Sequence, residues 1–375
     1  MGKLVEPVLI KNITNTVAKD LDASNIGGVS VFVAQAGKTL IKEHFGLTSP
    51  QGDPVSDNTL FRLASMTKPI TAVATMILVD RDLLSLEDTI DRFYPSFSSM
   101  VIYNEGNSDL PSCNKITIRN ILTHSSGIGS GRVWTNALTS ITNKDVESVD
   151  SFVDFLSRQP LSFEPGTKQE YSGIGAFSVL TGIIQQITGM EYGEFLKQEL
   201  FQPLEMIDTT FEPNESQWKR LISMHDKVAG NKCVGLTNDG CVFEFIPPQN
   251  PLGGAGLVSS LHDYCNFAQM LLNKGTFNGI RVISEESVGE ISKSQFLHKA
   301  GENWGLGVRV VTEDGESPLP VGCYGWSGAY GTHFWIDPNN DLFGIYMKNS
   351  RYDGGSGART ARQFEIDVYS ALNLV

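Results

Sequence analysis

The stretch F-R-L-A-S-M-T-K-P-I-T-A-V-A-T-M-I-L, residues 61–78, sets Ser65 three positions before Lys68 at the head of an apolar, helix-patterned run. Residues three apart on a helix share a face, so the lysine nitrogen can reach the serine hydroxyl. A lysine taken out of water has a lowered pKa and can act as a general base toward a serine nucleophile. A helix N-terminus adds N–H donors and partial positive charge for an acyl oxyanion. The ordinary alternative is a capping serine beside a lysine that snorkels to water. S-x-x-K also occurs at Ser112 and Ser216. Ser112 falls in a polar loop and Ser216 on an exposed helix, so only Ser65 places its lysine inside packed structure.

Two further segments carry groups of the right kind. E-P-G-T-K-Q-E-Y-S-G-I-G-A-F puts Tyr171 after a Pro-Gly loop and before an apolar helix. There a phenol can project into a cleft, where a cationic lysine favours phenolate and makes it a proton shuttle. A boundary tyrosine with a packed ring and a wet hydroxyl is the plainer reading. Y-G-W-S-G-A-Y-G reads as strand, with Ser327 and Gly328 after Trp326. Small residues there let a ligand approach the backbone, where the Ala329 N–H can donate to a carbonyl oxygen.

Elements must bring these segments together. Apolar residues at helical spacing over 5–23 predict an opening helix, and V-S-V-F-V-A-Q and K-T-L-I-K-E-H-F, joined by A-G, predict a hairpin. The helix after Ser65 is expected to extend through Leu84 and end before Pro95. The middle reads as helices with long loops, one of them ending at Gly189 and another opening on S-S-L-H-D. The last quarter holds three strand-like runs, W-G-L-G-V-R-V-V, G-C-Y-G-W-S-G-A-Y-G-T-H-F-W-I and D-L-F-G-I-Y-M-K, then a closing helix. The expected fold is α/β (α+β): an antiparallel sheet from both chain ends, covered by terminal helices. Residues 1–64 and 275–375 are expected to form the discontinuous sheet domain and 65–274 a mainly helical domain.

At 375 residues two lobes are expected. A formal net charge of -13 argues against nucleic acid or an anionic membrane as partner. The opening M-G-K-L-V-E-P-V-L-I-K-N has no secretion-signal pattern, and no apolar run reaches the roughly 20 residues of a membrane span, so a cytoplasmic location is expected. The five cysteines fit no zinc spacing and read as reduced thiols, with a Cys233–Cys241 hairpin pair as a minor option. No metal or other cofactor is expected. His124 reads as a structural loop residue, His262 as part of a helix first turn and His333 as a buried or edge strand residue. G-W-S-G-A misses the nucleophile-elbow pattern G-x-S-x-G at its last position, which argues against an α/β-hydrolase.

Taken together, S-M-T-K, Y-S-G and W-S-G in this order resemble the three elements of the serine β-lactamase-like superfamily, which includes class C β-lactamases, D-alanyl-D-alanine carboxypeptidases and family VIII carboxylesterases. L-T-H-S-S-G-I, P-L-E-M-I-D-T-T-F and G-G-A-G-L-V-S-S-L-H-D-Y extend the likeness over nearly the whole chain. The resemblance implies a β-lactamase/transpeptidase-like fold with the active site between sheet and helical lobe. It implies Ser65 as acylated nucleophile, Lys68 as base and Tyr171 as relay, with an oxyanion hole from the Ser65 and Ala329 N–H groups. Trp326, Ser327, Gly328 and Gly173 would line the substrate. Members acting on β-lactams and peptides commonly carry Asn where this chain has Gly173, and Lys or His where it has Trp326. Both departures weaken anchoring of amides and carboxylates and suit a neutral ester, as in the family VIII esterases. The expected activity is carboxylic ester hydrolysis through an acyl-enzyme on a small-molecule substrate. A β-lactamase, a D-amino-acid peptidase and an acyltransferase on the same machinery are the alternatives.

Overall fold

The structure, a computed structural model, describes residues 2–23, 25–228, 232–236, 250–295, 302–313, 318–351, 353–355 and 357–374. Its centre is one antiparallel sheet built from both ends of the chain. The N-terminal hairpin supplies β1 (Gly28–Gln35) and β2 (Lys38–Gly46). Ala36 and Gly37 both have positive φ, 49° and 71°, the backbone of a tight type I′ turn. The C-terminal part supplies β3 (Glu302–Trp304), β4 (Arg309–Val311), β5 (Tyr324–Ser327), β6 (His333–Asp337) and β7 (Leu342–Met347). The order across the sheet is β3-β4-β5-β6-β7-β1-β2, so β1 pairs with β7 from Ser30 opposite Met347 to Gln35 opposite Leu342.

Helices cover both faces. The helices α1 (Gly2–Asp22) and α5 (Arg359–Leu372) pack on each other and on one face. Leu9, Ile13 and Val17 of α1 and Phe364 and Val368 of α5 share a core with Val29, Val31, Val33 and Trp335. On the other face lies α4 (Leu261–Leu272), against β1, β6 and β7. It comes from the 65–274 stretch, so that stretch also supplies a layer of the sheet rather than helical lobe alone. The larger core joins α4 to α2 (Thr67–Asp80) and α3 (Gly175–Thr188), whose buried faces include Ile70, Val73, Ile77, Phe177, Leu180 and Ile184. Gly189 closes α3 with φ 69°, as its position predicts. Among the described residues no helix is long and apolar enough to cross a membrane.

Three element expectations differ from the structure. The helix after Ser65 stops at Asp80, short of Leu84. Asp82 takes φ 56°, and the Leu83 N–H returns to the Leu78 carbonyl at 3.0 Å, a closure that ends the helix while Leu84 and Leu86 stay buried in an irregular segment. The run W-G-L-G-V-R-V-V is a hairpin of β3 and β4, because Gly307 has φ 70° and a Cβ on Gly305 would lie 2.1 Å from the Ile291 carbonyl oxygen. The run from Cys323 to Ile336 is likewise two strands, β5 and β6, which places Gly328 and Ala329 in the turn between them and not within a strand. Cys241, the second member of the optional Cys233–Cys241 pair, lies outside the described residues.

Candidate active site

Ser65 lies in a one-turn 3-10 segment, Ala64–Met66, directly before α2. The turn begins on Ala64 at φ 46°, a left-handed conformation unusual for alanine. Several neighbours hold it there. The Tyr264 hydroxyl donates to the Met66 carbonyl at 2.9 Å, and Asn349 bonds both the N–H and the carbonyl of Arg62. Ser65 caps nothing. The N-cap of α2 is Met66, with no side-chain cap bond, and the Ser65 hydroxyl instead meets two polar side chains.

The first is Lys68, fully buried in the first turn of α2. Its Nζ stands 3.2 Å from Ser65 Oγ and donates to the carbonyls of Gly173 at 2.6 Å and Gly254 at 2.8 Å. Burial lowers the lysine pKa, with Tyr171 opposing that shift. The geometry suits the neutral amine: two N–H groups serve the two carbonyls, and the lone pair is left for the serine proton. The second is Tyr171, whose hydroxyl lies 2.6 Å from Ser65 Oγ and whose ring centroid is 4.9 Å from Lys68 Nζ. The phenol is 38% exposed while Ser65 is 8% exposed, so the site meets solvent on the tyrosine side.

The structure places Ser65, Lys68 and Tyr171 side by side, and backbone and ring contacts with no signature in the sequence position them. Gly254 belongs to the G-G-A-G loop, pressed so closely on α3 that a Cβ on Gly253 would lie 2.5 Å from the Phe177 carbonyl oxygen. Thr71, one turn beyond Lys68, donates to the Gly253 carbonyl at 2.6 Å. His124, assigned a bland loop role, holds Tyr171 from both sides along the chain. Its carbonyl accepts from the Glu170 N–H at 2.9 Å and its Nδ1 from the Ser172 N–H at 3.1 Å. Its ring packs against those of Tyr171 at 4.7 Å and Trp304 at 4.2 Å. Burial, then Lys68, drives its pKa well below the usual histidine value, so the ring is neutral with its proton on Nε2. The signal was T-H-S-S-G, but nothing local to that motif indicates a contact 47 residues on.

Trp326 and Trp304 complete an aromatic wall. Trp326 packs 5.4 Å from the Tyr171 ring and 4.3 Å from Trp304, and Trp304 stacks on Tyr171 at 5.8 Å. Gly173 leaves room beside this wall, since a Cβ there would touch only Tyr171 Cε1 at 3.9 Å. Gly328 is confined: its Cβ would lie 2.2 Å from the Leu63 carbonyl oxygen. The turn after β5 is therefore pinned to the chain two residues before Ser65, with Thr332 Oγ1 donating to the same carbonyl at 2.9 Å. Ala329 is exposed on this turn. Ser327 Oγ points away from the wall and meets His333 Nδ1 at 2.7 Å, so toward a substrate this residue presents backbone. A cavity of about 930 Å³, lined by Glu194, Phe201, Met206 and Phe211 among others, includes none of these residues.

The beta-lactamase family model matches residues 13–366. An uncharacterised protein of Mycobacterium tuberculosis is 31% identical over 351 residues, covering 87% of this chain and 86% of that one. The esterase EstB of Burkholderia gladioli is 29% identical over 364 residues, covering 89% and 88%. Among solved structures, EstCE1, a hydrolase with promiscuous acyltransferase activity, superposes with a TM-score of 0.83 at 22% identity, covering 97% of this chain and 99% of that one. A family VIII carboxylesterase gives 0.76 at 19% identity, covering 97% of each. With its match to the family model spanning nearly the whole length, the chain belongs to the beta-lactamase family and is a serine hydrolase.

Proposed function

We propose that the protein hydrolyses carboxylic esters through an acyl-enzyme on Ser65. The observation that carries this reading is the placement of Ser65 Oγ 3.2 Å from a buried lysine nitrogen and 2.6 Å from a phenol oxygen. Ser65 Oγ attacks the ester carbonyl carbon and its proton passes to Lys68 Nζ. The N–H groups of Ser65 and Ala329 hold the resulting oxyanion. Collapse breaks the bond to the alcohol oxygen, which takes its proton from Lys68 through the Tyr171 hydroxyl. Water then enters, loses a proton along the same path, attacks the acyl carbon and releases the acid, and Ser65 recovers its proton.

The preference for esters rests on two positions. Trp326 offers an indole face and no charge where a substrate carboxylate would need a cation, and Gly173 has no side chain with which to bind a substrate amide. The aromatic wall suits an apolar acyl or alcohol portion. EstB, similar over most of the chain, bears the name esterase, which supports the same reading.

A p-nitrophenyl acyl-chain series run beside nitrocefin tests the proposal. Ester turnover is expected to fall by about 10⁶-fold in Ser65→Ala, as for other acyl-enzyme nucleophiles. Undiminished ester turnover in that variant would sink the mechanism. Rapid nitrocefin cleavage with inert esters would move the substrate to β-lactams.

A further inference from the structure

We propose that Ser327, His333 and Glu365 form a buried side-chain chain behind the cleft that aims the 327–329 backbone at the reacting carbonyl, making Ser327 and His333 positioning residues. The inference rests on the reading of Ser65 as nucleophile and of the Ala329 N–H as oxyanion donor. Ser327 and His333 face each other across β5 and β6, so their side chains project from the same face of the sheet. That face is the one opposite the cleft. Trp326, one residue earlier, packs with Tyr171 and Trp304, whereas Trp335, two residues after His333, packs on Phe364 of α5.

His333 Nε2 lies 2.9 Å from Glu365 Oε1, and Nδ1 lies 2.7 Å from Ser327 Oγ. With Nε2–H donating to the Glu365 carboxylate, the neutral imidazole presents Nδ1 as acceptor to the Ser327 hydroxyl. The three residues are 3%, 3% and 2% exposed. Arg309 Nη2 stands 3.9 Å from Glu365 Oε1, while Glu365 Oε2 is buried without a hydrogen-bond partner. Burying such a chain at a helix–sheet contact is unfavourable, and a hydrophobic trio would pack there more simply.

Its position in the chain indicates what it does. Ser327 is the last residue of β5, and Gly328 and Ala329 after it have almost no side chain with which to fix their own direction. From the far side, the turn is held by the Gly328 N–H to the Thr332 carbonyl at 2.7 Å and by the Gly355 N–H to the Gly328 carbonyl at 2.8 Å. The Ser327 hydroxyl is the side-chain anchor on the strand side. Loss of that anchor leaves the fold and the substrate wall in place and lets the end of β5 shift, and with it the 328–329 peptide that carries the Ala329 N–H. Because the oxyanion develops only in the transition state, the effect belongs in kcat and not in KM.

The test uses p-nitrophenyl butyrate with the variants His333→Leu, His333→Asn, Ser327→Ala and Ser65→Ala, each checked for folding by thermal unfolding. His333→Leu is expected to lower kcat about 10–100-fold, part of the 10²–10³-fold of losing an oxyanion donor outright, with KM nearly unchanged. His333→Asn returns an acceptor to the Nδ1 place and is expected to recover most of that loss. Ser327→Ala removes one hydroxyl and gives the same kcat loss, so it decides the matter even where His333→Leu does not fold. Unchanged kcat in Ser327→Ala, or kcat and KM moving together without recovery by Asn, would overturn the inference. If Ser65→Ala keeps full turnover, the nucleophile assignment fails instead, and the two failures are told apart.

Discussion

Among the described residues two lysines, Lys68 and Lys348, are almost completely buried, and their surroundings differ in one respect. Lys68 meets only neutral partners: two backbone carbonyls, a serine hydroxyl and the face of a phenol. Lys348, just after β7, meets the carboxylate of Asp353 at 3.2 Å. Burial lowers the pKa of both, but at Lys348 the carboxylate opposes the shift most strongly, whereas at Lys68 the opposition comes from Tyr171. A lysine that must give up and regain a proton is kept among dipoles, and one that must stay charged is given an anion. Lys348 holds structure next to the site. Its stem passes so close under the turn after β5 that a Cβ on Gly331 would lie 2.1 Å from Lys348 Cε. Asp353 also accepts from the N–H groups of Arg359 and Thr360 and so anchors the start of α5.

The largest contrast is expected from replacing each lysine with methionine. Lys68→Met removes the proposed base, and ester kcat/KM should fall by about 10²–10⁴-fold, the usual contribution of a positioned general base. Its fold should lose only modest stability, since an apolar chain of similar length fills the space while the Gly173 and Gly254 carbonyls lose their donor. In the parent enzyme, the ascending limb of kcat/KM should lie below the ordinary lysine value of 10.5, because burial lowers Lys68. His124 contributes no limb near neutrality, its ring being already neutral there. Thermal unfolding beside ester kinetics separates these effects. Marked destabilisation of Lys68→Met would mean that the lysine holds the fold.

Lys348→Met should behave the opposite way. It strands the Asp353 carboxylate in a mostly buried place and should destabilise the protein by about 3–5 kcal/mol, the typical cost of removing one partner of a buried pair. Denaturant unfolding measures this directly. Lys348→Met combined with Asp353→Leu should recover part of the loss, because the stranded charge is then gone. If the double variant is as unstable as the single, the charge pair is not the source.

The two lysines were not equally legible in the sequence. Lys68 is part of a local pattern, three residues from its serine at the head of an apolar helix, so spacing alone indicates the contact. Lys348 ends an ordinary strand, Y-M-K-N-S, and its burial depends on the turn after β5 and on the start of α5. The same division runs through the whole molecule. The antiparallel sheet built from the two chain ends, the A-G turn and the Gly189 cap follow from period and turn chemistry. The helix stop at Asp80 and the splitting of two strand-like runs into hairpins follow from single residues at positive φ, Asp82 and Gly307 among them, whose conformation no hydrophobic pattern reveals. The Gly173 and Gly254 carbonyls on Lys68 are backbone groups, invisible to any motif of side chains.

The smallest effect, on stability in acid, tests the paired lysine alone. Burial by itself would raise the Asp353 pKa, but Lys348 and Thr360 together bring it down from 3.8 to about 2. A carboxyl group with a depressed folded pKa stabilises the fold fully above its unfolded value and loses that contribution as pH falls through the folded one. The window therefore runs from about pH 4 down to about pH 2, and the contribution lost is on the order of 2 kcal/mol. Asp353→Asn should be less stable than the parent at neutral pH and flatter across that window in urea unfolding. A parent curve that falls no more steeply than that of Asp353→Asn between pH 4 and 2 would show the pair to be solvated, and the distinction between the two lysines would lose its structural half.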